Sequence, residues 1–179
     1  MQQFLLPILF SAWFLPTSSA ASSICVQEYG EVTCGKGSTE TVNANGVAKM
    51  NGTEVERHTQ VNGSLRAVSA KLGTLTVNGD VILKRSEIRD VVKINGVLNP
   101  FKTQFLSSLV ILANSGSLKK CELQDITFKK TSTPRQKIKL YDSKVSGSIT
   151  FDGGDGIVYL CDGSKVTGDI VGGKTTEIC

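Results

Sequence analysis

Histidine is nearly absent from this sequence: His58 is alone among 179 residues. That removes the commonest acid–base and metal-ligating side chain from all but one place. His58 follows Glu56 and Arg57 in a polar stretch, with no serine or cysteine motif beside it to complete a triad, and reads as a solvated surface residue. No pair among the five cysteines has C-x-x-C spacing. With one histidine, that excludes the usual zinc patterns. Aromatic residues make up 6% of the chain. Phe101, Phe105, Phe128 and Phe151 are too far apart in sequence to form a sugar-stacking platform. Charge is balanced as well: the net value is +4 and the basic residues are scattered, with Lys119-Lys120 and Lys129-Lys130 as adjacent pairs. Nucleic acid and anionic membranes are therefore not the expected partners.

Charge is missing altogether from the first twenty residues, "MQQFLLPILFSAWFLPTSSA", which hold an apolar stretch from Phe4 to Leu15 and then small residues. Ser18 and Ala20 occupy the positions a signal peptidase reads, so residues 1–20 are expected to be a signal peptide cleaved after Ala20. Beyond it, the most apolar segment is "FLSSLVILA" at 105–113, about half of what a bilayer span requires. No transmembrane segment is expected after cleavage. The mature chain is long enough for one domain, and its expected location is outside the cell, in the periplasm or on the cell surface.

Cys25, Cys34, Cys121, Cys161 and Cys179 all follow the cleavage point, in a compartment where disulfides persist. Cys25 and Cys34 are close enough in sequence to pair. Cys161 and Cys179 are one repeat apart and would lie on adjacent rungs, near the separation a disulfide needs. Cys121 is left as the unpaired thiol, expected to be a small buried residue.

What the sequence has in abundance is repetition. Leu75-Thr76-Val77 has apolar ends around a polar centre, the pattern of a half-buried strand. Steps of seventeen residues lead to Val92-Lys93-Ile94, Leu109-Val110-Ile111 and Ile126-Thr127-Phe128. After an insertion at 129–137, whose Pro134 marks a loop, the pattern returns at Ile149-Thr150-Phe151 and at Ile170-Val171. Gln60-Val61-Asn62-Gly63 and Lys49-Met50-Asn51-Gly52 read as weaker upstream copies. Six residues before each triplet stand Ser69, Ser86, Thr103, Lys120, Ser143 and Ser164, and a second apolar pair follows it, as in Val81/Leu83, Ile138/Leu140 and Val158/Leu160.

Asn-Gly pairs begin at Asn45, Asn51, Asn62, Asn78 and Asn95. Such a pair between β-branched residues is also the strongest short-range hairpin signal. A unit of this length with short strands, a common phase and Asn, Gly or Asp at its bends predicts a β-solenoid of about seven or eight coils, of either hand. The pairs then mark coil corners, where positive φ is needed. The alternative is an antiparallel β-meander or sandwich. Residues 21–44 are expected to be an N-terminal cap and 45–179 the solenoid, its last coil pinned by a disulfide.

Motifs for chemistry are few. "FDGGDG", with Asp152 and Asp155, resembles one glycine-rich calcium turn, but such turns work as stacked copies and this one is single. Asp152, Asp155, Asp162 and Asp169 would serve acid/base hydrolysis of a polysaccharide only if two were gathered about 5 to 10 Å apart; otherwise they are turn residues. Asn51-Gly52-Thr53 and Asn62-Gly63-Ser64 satisfy the glycosylation sequon. No catalytic residue, metal ligand or cofactor is assigned.

The alternation in "VNGSLRAVSAKLGTLTVNGDVILKRSEIRDVVKINGVL" resembles that of bactofilins and related polymer-forming bacterial β-solenoid proteins, across about residues 45–172. The resemblance implies a solenoid fold and a tendency to assemble end to end. It implies no functional residues, and the chain departs from that family in its export signal and its cysteines. The expected function is a non-enzymatic exported structural or binding protein. Its rivals are a carbohydrate-active β-helix enzyme using the C-terminal aspartates and a secreted factor that binds a host or partner protein.

Overall fold

A computed structural model describes residues 24–132, 135–177 and 179. The expected signal peptide at 1–20 and Pro134 of the insertion lie outside the described residues.

Alternation at period two decides which side chains turn inward, and stacking decides the rest. The triplets fall in register through parallel pairing: Leu75 beside Val92, Val92 beside Leu109, Leu109 beside Ile126, Ile126 beside Ile149 and Ile149 beside Ile170. Their apolar ends form two columns of the core. Leu75, Val77, Leu109, Ile111, Ile126 and Phe128 are all fully buried. The second apolar pairs make further columns, with Val81 beside Leu98 and Ile138 beside Val158. A short third strand completes each coil, as at Glu87–Ile88, Gln104–Phe105, Glu122–Leu123 and Lys144–Val145. The chain is an all-β parallel solenoid of about eight turns with three strand faces per coil. The meander and sandwich are excluded, since among the described residues the sole antiparallel pair is Cys25–Glu28 on Glu31–Cys34 at the start.

We call the triplet strands the first face, the strands of the second apolar pair the second face, and the short strands the third. In the N-terminal half one strand runs through all three, as in Gly37–Asn51, Thr53–Val68 and Lys71–Lys84. Further on, the corners interrupt it.

Two corners explain the repeat's punctuation. Between first and second faces, Gly46, Gly63, Gly79 and Gly96 stack with φ of 134–144°. A Cβ on Gly63 would overlap the carbonyl oxygen of Gly46, and one on Gly79 that of Gly63. The preceding asparagines form a ladder: Asn62 Nδ2 donates to Asn45 Oδ1 at 2.9 Å, and Asn78 Nδ2 to Asn62 Oδ1 at 2.8 Å. Asn51-Gly52 is not part of this column. Its Gly52 opens the corner between second and third faces, where Ser69, Arg85, Lys102, Lys120, Asp142 and Asp162 all adopt φ of 46–54°. Left-handed backbone costs a non-glycine residue roughly 1–2 kcal/mol. Here the N–H groups continue the coil-to-coil bonding, from Arg85 N to Phe101 O at 2.9 Å and from Lys120 N to Tyr141 O at 2.8 Å.

Several expectations shift by a residue or a strand. The triplet of the coil before Gln60 is Val42-Asn43-Ala44, in register with Thr59-Gln60-Val61, whereas Lys49-Met50-Asn51 lies on the second face. The column of small polar residues runs through Ala70 and Cys121, not Ser69 and Lys120, because these two coils have one residue fewer between corner and triplet. The solenoid also begins before residue 45. Glu31–Cys34 already pairs in parallel with Val47–Met50, so the cap is the hairpin of Cys25–Glu28 alone.

Candidate functional site

The cysteines are placed by the coils. Cys25 is bonded to Cys34, closing the N-terminal hairpin, and Cys161 to Cys179 across adjacent rungs with Cα atoms 5.9 Å apart. Cys121 is free and buried. It occupies the column of Thr53, Ser86, Thr103, Ser143 and Ser164, all buried. Each hydroxyl here donates to a nearby backbone carbonyl: Ser86 Oγ to Lys84 O at 3.1 Å, Ser143 Oγ to Tyr141 O at 2.8 Å. Cys121 Sγ imitates them, 3.2 Å from Lys119 O, while its N–H donates to Ser143 Oγ at 3.1 Å. Burial pushes its thiol up to about 11, so the sulfur stays protonated and unreactive.

The four candidate aspartates fall at three corners. Asp152 and Asp155 sit between the first and second faces, held by Lys129 Nζ at 2.8 Å and Arg135 Nε at 3.1 Å. Asp162 is at the left-handed corner between second and third faces. Asp169 lies ahead of Ile170–Val171, where the third face meets the first. Asp152 and Asp155 thus share one corner, while Asp162 and Asp169 stand at two others. No cluster of three or more metal-ligating side chains occurs among the described residues. His58 is exposed on the first face, in register with Thr41 and Thr74. Asn51 and Asn62 are exposed, but the Thr53 hydroxyl of the first sequon is buried and donates to Gly35 O at 2.8 Å. In the insertion, buried Gln136 uses its Nε2 to tie Ala113 O and Lys129 O, both at 2.8 Å.

The feature that sequence reasoning missed is where the cations go. On the third face, outward residues mix signs: Glu54, Lys71, Glu87, Gln104, Glu122 and Lys144 stack in register. The second face is different. Lys84, Phe101, Lys119 and Tyr141 form one outward column, cation alternating with ring. Two residues in, Lys139 stacks beside Tyr159. Ammonium groups lie over the rings: Lys119 Nζ 5.2 Å from the Tyr141 centroid, Lys139 Nζ 5.5 Å from Tyr159 and Lys102 Nζ 5.5 Å from Phe101. The strands Leu98–Phe101, Ser115–Lys119, Lys137–Tyr141 and Gly156–Cys161 contain no Asp or Glu. A strip of fixed cations therefore runs along one face. The signal was in the sequence, but only in coil register, where Lys84, Lys102, Lys119 and Lys139 become neighbours.

Comparison with known proteins gives no match: no protein-family model, no curated protein and no solved structure matches the chain. The two disulfides fit an oxidising compartment outside the cytoplasm. No helix of the described residues is long and apolar enough to cross a membrane.

Proposed function

We propose that this chain is an exported, non-enzymatic rod of the cell envelope or exterior, secreted or periplasmic, working as a structural or binding module without a cofactor. The observation that carries this reading is the pair of disulfides at the two ends of a continuous solenoid. Such bridges persist where thiols are not kept reduced, and they pin the coils with fewest neighbours. The uncharged, apolar stretch ahead of them supplies the export signal. Asp162 and Asp169 stand at separate corners, and Asp152 and Asp155, which share one, are each engaged by a cation; this weighs against the hydrolase reading, which needs two free carboxylates in one groove. Long flat faces favour contact with an extended polysaccharide or a protein surface.

Self-association through the ends is a second reading, favoured by the open strand edges. Among the described residues, Gly37–Asn51 is paired on its N-terminal side along Val47–Met50 alone. Unpaired edges are templates for further pairing, and the resemblance to bactofilins points the same way.

Intact mass and light scattering on the protein recovered from an exporting host test both. A chain beginning at Ala21, with two disulfides, is the expected result. Recovery of the full-length chain in the cytosol overturns the export reading. A single monomeric species at all concentrations overturns end-to-end assembly.

A further inference from the structure

The basic strip of the second face is built in a way that names its occupant. Every coil from Val81 to Leu140 contributes a cation to the strip or to the left-handed corner beside it. Lys84, Lys102, Lys119, Lys137 and Lys139 are all exposed. Rungs of a parallel sheet are ~4.8 Å apart; Lys84 and Lys119 lie two rungs apart in one column, and Lys139 lies on the next rung, two residues to the side. Two of the carboxylates beside the strip are engaged, Asp142 with Lys120 Nζ at 3.7 Å and Asp155 with Arg135. The rings restrict the Lys102, Lys119 and Lys139 side chains. That lowers the ordering cost of binding.

We infer that the second face, from Lys84 to Tyr159, is a docking strip for an extended acidic polysaccharide, its carboxylate or sulfate groups held by Lys84, Lys119 and Lys139. An extended uronate chain carries one carboxylate per sugar, so its charges recur along its length and can reach lysines spread over several rungs. Single-stranded nucleic acid fits less well, because it relies on open ring faces for base stacking, and here ammonium groups lie over all three rings. A flat sheet offers no element that would enter a duplex groove. The preference for a glycan rests on the exported reading; the row of cations does not.

Native gels containing polygalacturonate, run with the disulfide-bonded protein at low and raised salt, test the strip. Retardation at low salt that weakens as salt rises is expected. Replacing Lys84→Gln, Lys119→Gln and Lys139→Gln together should weaken binding at least about tenfold and flatten the salt dependence, as expected when three ionic contacts are lost. The equal-charge control, Lys71→Gln, Lys144→Gln and Lys165→Gln on the third face, should stay within about twofold, and far-ultraviolet dichroism checks both for folding. Tyr141→Leu should weaken binding several-fold while keeping the salt slope, since it frees the Lys119 ammonium without removing it. Equal loss from both triple variants overturns the strip. Tighter binding of oligothymidylate than of polygalacturonate at equal charge overturns the glycan. Absence of retardation in a chain shown to start at Ala21 overturns the strip and leaves the export reading standing.

Discussion

At the scale of single residues, this protein is governed by what each position in a column tolerates. Gly79 sits where the backbone turns with φ 139° and where a Cβ would overlap the carbonyl oxygen of Gly63. Gly79→Ala therefore meets two penalties, a disfavoured dihedral and a collision with stacked backbone. It should lower stability by more than about 1 kcal/mol in a urea titration. Ser69→Ala at the other corner adds neither penalty and should cost less. Cys121 tests the column of small polar residues. Its thiol is raised from 9.0 to about 11 in the folded protein. The folded state thus holds its proton more firmly than the unfolded chain. The resulting stability is complete below pH 9 and is lost as pH rises towards 11. Cys121→Ser places a hydroxyl among its own kind and should remove this alkaline loss, a difference on the order of 2 kcal/mol by pH 11, read from paired melts of the two proteins.

At the scale of the element, no strand here is stable by itself. Two- and three-residue strands such as Ile126–Phe128 owe their existence to the coils above and below, since each supplies only one or two inward side chains to columns that span the rod. The repeat was legible because that requirement imposes a phase: Val92, Leu109 and Ile126 recur at equal steps and lie side by side in the structure. Coils that vary were misread. The sequence reading put Ser69 and Lys120 in the polar column because equal counting from the triplet lands on them, yet the shorter corners of those two coils bring in Ala70 and Cys121. Asn51-Gly52 looked like its neighbours because both corners accept Asn and Gly, although one needs glycine to clear a carbonyl and the other only a left-handed turn. The N-terminal boundary was misplaced for a similar reason. Val42-Asn43-Ala44 carries small side chains that make a faint pattern, but it pairs in full register with Thr59-Gln60-Val61.

At the scale of the whole molecule, stability is distributed along one axis, and the ends are its weak points. The last coil, with Ile170 half-buried and Val171 exposed, adds little apolar burial, so the Cys161–Cys179 bond holds it in place. Closing a loop of this size stabilises by about 3 kcal/mol in the chain-entropy account. Cys179→Ser should abolish hydrogen-exchange protection at Gly173–Thr176 while leaving that of Leu109–Leu112 and Ile149–Phe151 intact. Loss of protection along the whole rod would show instead that the coils unfold as one unit. The same axis makes the molecule's surface anisotropic: the third face mixes signs, while the second collects cations and rings.

The sequence by itself determined the coil. Inward alternation, a seventeen-residue phase, corner residues and the one-coil spacing of Cys161 and Cys179 are local or periodic, and each follows from burying apolar side chains while every backbone group stays hydrogen-bonded. Only the tertiary structure decided what lies beside what across coils. Whether four aspartates meet or scatter depends on how many residues each corner holds, and so does the alignment of distant lysines into one strip. Those lengths are settled by packing, which no single stretch of the chain encodes.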